Sequence, residues 1–163
     1  MITASLRKAL ADLKPWVSRE YGYWWRSWTR AGRRRLEVFD EAPGLHGSVV
    51  DTLAAALLAE RGAANVAGVL DERFGDDPAL CCAVRLRLRR PAPGVHQIVD
   101  GIDDGATALA VYLAAVYVID GSAPAGRVWL EDLAEALLVP PILMRQLHRY
   151  CEVESPLRLA VSA

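Results

Sequence analysis

The side chains in this sequence best suited to chemistry are few and scattered. His148 and Cys151 stand three apart and would share one helix face, and Cys81 and Cys82 could meet them in space. A structural zinc site takes four nitrogen or sulfur ligands, typically in closely spaced pairs. The set reads instead as small buried thiols and a partly exposed histidine. His46 lies in a Pro/Gly loop and His96 precedes a short helix, and neither has a partner near it in sequence. Nucleophilic catalysis needs a hydroxyl or thiol activated by an oriented base, yet no GxSxG elbow, glycine-rich phosphate loop or HExxH occurs. Asp100, Asp103 and Asp104 in "DGIDDG" could form a general acid/base pair. Aspartate beside glycine just ahead of a strong helix is more simply turn and N-cap chemistry. The run "RLRLRR" (Arg85 to Arg90) could touch phosphate, but it reads as a solvated face whose charge suits a helix carboxyl end. We therefore expect no enzyme, no cofactor, no metal and no nucleic-acid partner.

The stretch "EYGYWWRSWTRAGRRRLEVFDE" is the strongest candidate for contact with something else. At helical period Tyr21, Trp24 with Trp25, Trp28, Gly32, Arg35 with Leu36, and Phe39 fall on one stripe. Arg19, Arg26, Arg30, Arg33 and Arg34 fall mostly elsewhere. This is an amphipathic helix with a bulky apolar face and a guanidinium-rich polar face. Gly22 and Gly32 each cost roughly 1 kcal/mol against alanine, so the helix relies on packing. Three destinations fit: the domain's own core, a protein partner or second copy, or an anionic membrane surface. The partner-binding candidates are Tyr21, Trp24, Trp25, Arg26, Trp28, Arg30, Arg33 and Arg34.

The elements that must position these residues are all helical, and no convincing alternating strand appears. "TASLRKALADLKPW" is a helix that Pro15 ends or kinks, and the aromatic helix follows from about 17 to 39. "EAPGLHG" breaks the chain, and Ser48 with Asp51 resembles a capping box ahead of "VVDTLAAALLAER". A short amphipathic segment closes at Gly75. Asp77-Pro78 supplies an N-cap and a first-turn proline for a helix that should run to Arg90. "VHQIVD" is a short turn of helix. Ala106 to Ile119 is a 14-residue apolar run, short of the ~20 that span a bilayer, and so a buried helix. "RVWLEDLAEALLV" and "ILMRQLHRYCE" follow, separated by Pro140-Pro141. The expectation is an all-α, compact bundle of about seven to nine helices.

Composition agrees. The 163 residues are 53% hydrophobic, with only two lysines, which fits one packed domain rather than disorder. No leader segment is expected, and three cysteines without CxxC spacing point to reduced thiols in the cytoplasm. The net charge of -1 conceals +7 over residues 1–36 and -8 over the rest. A basic amino end on an acidic body either docks on itself or serves as an arm for an anionic partner.

Between Asp104 and Arg149 the chain resembles the TerB-like (tellurite-resistance protein B) superfamily, nearest its YebE-type branch. The resemblance is carried by Val111-Tyr112-Leu113, Val118-Ile119-Asp120, a Pro/Ala linker, Trp129-Leu130-Glu131-Asp132-Leu133-Ala134, the proline turn and Leu147-His148-Arg149. It implies an all-α fold of two pseudo-equivalent halves, with acidic positions that bind metal in some members. Of those positions Asp120-Gly121 remains. The next acidic position is Ser122, the helix-opening glutamate is Gly126, and the first half reads Glu60-Arg61-Gly62. A cation such as Ca²⁺ wants roughly six or more oxygen ligands, so the metal reading is weakened. The expected organisation is a basic aromatic segment over 1–45, a TerB-like domain over 46–150 and a tail over 151–163. The expected function is a non-enzymatic interaction or adaptor module. The alternatives are a metal- or small-ligand-binding stress-response sensor using Asp120, Asp103 and Asp104, or a membrane-surface protein.

Overall fold

A computed structural model describes residues 2–29 and 47–154. Nine α-helices and no strand occur among the described residues: α1 (Ile2–Glu20), α2 (Gly22–Ser27), α3 (Gly47–Arg61), α4 (Val66–Phe74), α5 (Pro78–Arg87), α6 (Val95–Asp100), α7 (Gly105–Val118), α8 (Pro124–Ala136) and α9 (Pro141–Glu154). The all-α bundle expected from periodicity is what the chain forms.

α7 is the axis of the molecule. Every one of its residues is buried, which only an element without charges can tolerate. Asp104 starts it: Oδ1 accepts the Thr107 N–H at 2.7 Å and Oδ2 the Thr107 hydroxyl at 2.8 Å. α1, α2, α3, α8 and α9 all pack against it. α1 contributes Leu6, Ala9, Leu10, Leu13 and Val17, one residue per helical turn or adjacent position on a single stripe. Around the rim Asp77 caps α5 by accepting the Leu80 N–H at 3.0 Å, with Pro78 in the first turn. The same carboxylate receives Arg7 at 2.7 Å, and the Tyr150 hydroxyl donates to Asp12 at 2.7 Å.

Several boundaries differ from the sequence reading. Pro15 does not end α1, which continues to Glu20. The single aromatic helix expected over 17–39 is two pieces: α1 takes Val17 to Glu20, the chain turns at Tyr21, and α2 closes at Trp28. The remainder of that stretch lies outside the described residues. α3 already includes Gly47 and Ser48, so Ser48 lies inside the helix rather than ahead of it, and Asp51 accepts Arg87 Nε at 2.7 Å. Arg87 ends α5, and its Nη1 donates to the Pro91 carbonyl at 3.0 Å. α8 begins at Pro124, three residues early, because proline suits a first helical turn.

Candidate functional site

Two regions gather the residues singled out by type. The first is α2. Trp24 is 5% exposed, and its Nε1 donates to the Leu137 carbonyl at 2.9 Å. Trp28 is buried with it in the core. Trp25 is half-buried across the start of α7, where a Cβ on Gly105 would meet its ring at 2.6 Å. Tyr21 packs edge-on against Trp16, with ring centroids 5.6 Å apart, and its hydroxyl donates to Gln146 Oε1 at 2.5 Å. Over the described residues Tyr21 to Trp28 the apolar stripe therefore faces inward, and Gly32, Leu36 and Phe39 lie outside the described residues. Arg26 is exposed and folds back over Gly22. Arg30, Arg33 and Arg34 lie outside the described residues.

What α2 presents outward is Tyr23, 87% exposed. The tethers to Leu137 and Gln146 bring α2 beside the turn between α8 and α9. There Leu138 is 72% exposed and Ile142 59% exposed. Leu138 also has φ +56°, a left-handed backbone. It holds the position in a helix-ending turn that glycine usually fills: its N–H bonds the Glu135 carbonyl at 3.0 Å and the Val139 N–H bonds the Ala134 carbonyl at 3.1 Å. Nothing in residue type announced it.

The second region surrounds Asp120. Its Oδ2 accepts Arg61 Nη2 at 3.1 Å and Arg73 Nη2 at 3.5 Å, and its Oδ1 accepts the Ser122 N–H at 2.9 Å. Arg73 Nη1 also donates to the Val118 carbonyl at the end of α7, at 3.1 Å. Glu60, 5% exposed, reaches in from α3 and accepts the Ser122 hydroxyl at 2.9 Å and N–H at 3.2 Å on Oε1. Its second oxygen is buried against α8, where a Cβ on Gly126 would overlap it. Glu60 thus fills the space left by the absent side chain at 126. Burial pushes the Glu60 carboxyl above its usual range, and a hydrogen bond with Asp120 pushes the same way. Burial alone would raise Asp120 too. Hydrogen bonds from Glu60 and Ser122, with the Arg61 charge, outweigh it and hold Asp120 well below the usual range.

A cleft of about 190 Å³ opens beside this cluster, lined by Ile119, Asp120, Gly121, Arg127, Leu130, His148 and Glu152. His148 Nε2 shares a 2.7 Å hydrogen bond with the hydroxyl of Tyr112. Cys81 lies near Asp71 instead, at 3.7 Å. Among the described residues no group of three or more His, Cys, Asp or Glu is arranged to hold a metal ion. Nor do Asp103, Asp104 and Asp120 converge on one ligand. Asp104 and Asp120 bracket α7, and 16 residues at 1.5 Å rise put them about 24 Å apart.

The helices from the end of α4 into α9 carry a family match. Residues 72–151 match DUF533, described as a protein of unknown function. DUF533 is a TerB-like domain family, so the resemblance read between Asp104 and Arg149 holds at that level. No curated protein and no solved structure matches the chain. No single described helix is long and apolar enough to cross a membrane.

Proposed function

We propose that this protein is a non-enzymatic interaction module of TerB-like fold. Its contact surface is the corner where α2 meets the α8–α9 turn, and it engages a protein partner. Within TerB-like domains we assign it to the YebE-type branch, on the pattern between Asp104 and Arg149. The observation that carries the functional reading is Leu138. A left-handed backbone costs a non-glycine residue roughly 1–2 kcal/mol, and the Leu138 side chain recovers none of it by burial. Val139, buried beside it, supplies the apolar contact this turn needs. Strain retained at an exposed apolar residue points to function, and Ile142 on α9 and Tyr23 on α2 are further exposed apolar side chains on the elements that meet there. Arg26 on α2 and Arg145 on α9 are both exposed, which suits a partner offering an apolar anchor with carboxylates around it. Cys81, Cys82 and Cys151 form no disulfide, in keeping with a reducing cytoplasm.

A photo-crosslinking residue at position 142 should capture one discrete protein in cells, either a partner or a second copy. One at the exposed Ala125, at the opposite end of α8, should not. Leu138→Gly should lower the capture from 142 several-fold. Equal yields from 142 and 125 would rule the surface out. A small-ligand sensor is the second reading, favoured by the cleft that joins Asp120, Arg127 and His148.

A further inference from the structure

The strongest unexplained feature outside the contact corner is the pair of guanidinium groups on one half-buried carboxylate. Arg61 ends α3 and Arg73 belongs to α4, and both converge on Asp120 in the loop after α7. Their charge meets two sources of negative potential at once: the Asp120 carboxylate and the last carbonyls of α7, one of which Arg73 binds directly. Both Asp120 oxygens are occupied, two donors on one and the Ser122 N–H on the other. Glu60, which also hydrogen-bonds Asp120, spends Oε1 on Ser122 and packs Oε2 against α8. A divalent cation at this position would have to displace both arginines and draw ligands away from Ser122.

We propose that Arg61 and Arg73 are the resident cations of the Asp120 site. The positive charge that a metal would bring in a TerB-like site is here built into the chain. The donor set does not fit a divalent ion while those side chains are in place, and the clamp between the α3–α4 region and the α7–α8 loop is permanent rather than switched by metal. The module is therefore insensitive to Ca²⁺, Mg²⁺ and Mn²⁺.

The test uses the full chain, with thermal melting and titration calorimetry against each of those three ions at millimolar concentration. The wild type should show no saturable heat and no shift of its melting temperature. Arg73→Gln should melt lower and should gain a saturable upward shift with at least one ion, and adding Asp120→Asn should abolish that gain. A one-site response of the wild type that Asp120→Asn removes would overturn the proposal. So would a folded Arg61→Gln/Arg73→Gln double variant that ignores all three ions, since emptying the clamp should open the carboxylates to them. Should Arg73→Gln give no melting transition, Arg61→Gln, which removes the 3.1 Å contact to the same oxygen, decides between the same two outcomes.

Discussion

Trp24 and Tyr23 are neighbours in sequence with opposite fates, and the difference can be measured. Trp24→Ala removes a buried indole and leaves the Leu137 carbonyl without its donor, so it should cost about 3–5 kcal/mol. Tyr23→Ala, on the open side of the same helix, should stay within about 0.5 kcal/mol. Urea denaturation of both variants reads this directly, and similar costs would mean that α2 is not seated as described. Glu60 supplies a second test at this scale, because its titration has a definite sign. Below its ordinary value near 4.5 Glu60 is neutral in both folded and unfolded chains. As pH rises past that value the unfolded chain ionises first, so stability is lost up to the raised folded value. Asp120 acts oppositely. Its lowered folded value contributes stability above the ordinary 3.8, and that contribution is lost as pH falls through it. Glu60→Gln keeps a neutral, hydrogen-bonding group and removes only the first effect. Its melting temperature relative to wild type should therefore climb between pH 4.5 and neutrality, and a flat difference would show that Glu60 ionises normally.

Among the elements, the α8 terminus makes the clearest physical case. Glycine at 138 would adopt φ +56° without the penalty leucine carries, so Leu138→Gly should raise stability by about 1 kcal/mol. The same change should reduce partner capture, and a variant that loses stability would show that the leucine serves folding. This turn was not legible in the sequence, since "LLVPP" signals a break without saying which residue turns left-handed. α7 was legible almost to the residue, because an uninterrupted apolar run behind an aspartate cap admits one reading. α5 was legible from Asp77-Pro78, but the partner of Arg87 at its end was not, because Asp51 lies 36 residues away. The aromatic stripe was legible as a stripe and illegible in direction. What it faces, the Leu137 carbonyl, comes from 113 residues further along, and no local pattern carries that. The Asp120 clamp was hidden in the same way: its arginines lie 59 and 47 residues from the carboxylate they bind.

At the level of the whole molecule, the family match and the physical unit have different extents. Residues 72–151 carry the match, yet α1, α2 and α3, three of the helices that cover α7, lie before it. Leu6, Leu10, Leu13 and Val17 are all buried. At about 1.5–3 kcal/mol for each such side chain, the stripe on α1 contributes roughly 6–12 kcal/mol before any entropy is charged against it. That is comparable with the whole stability of an ordinary domain, about 5–15 kcal/mol. α2 adds Trp24 and Trp28. A fragment beginning at Gly47 should therefore not fold cooperatively, even though it retains every residue of the family match. It should keep helical far-UV circular dichroism, lose its near-UV signal, bind a hydrophobic dye and show no sharp melting transition. Adding a peptide of residues 1–29 in trans should restore the transition in proportion to peptide concentration, because binding that occurs only to the folded state stabilises it by mass action. A fragment from Gly47 that melts sharply alone would show that α3, α8 and α9 close the core by themselves, with the basic aromatic segment riding on a domain already complete.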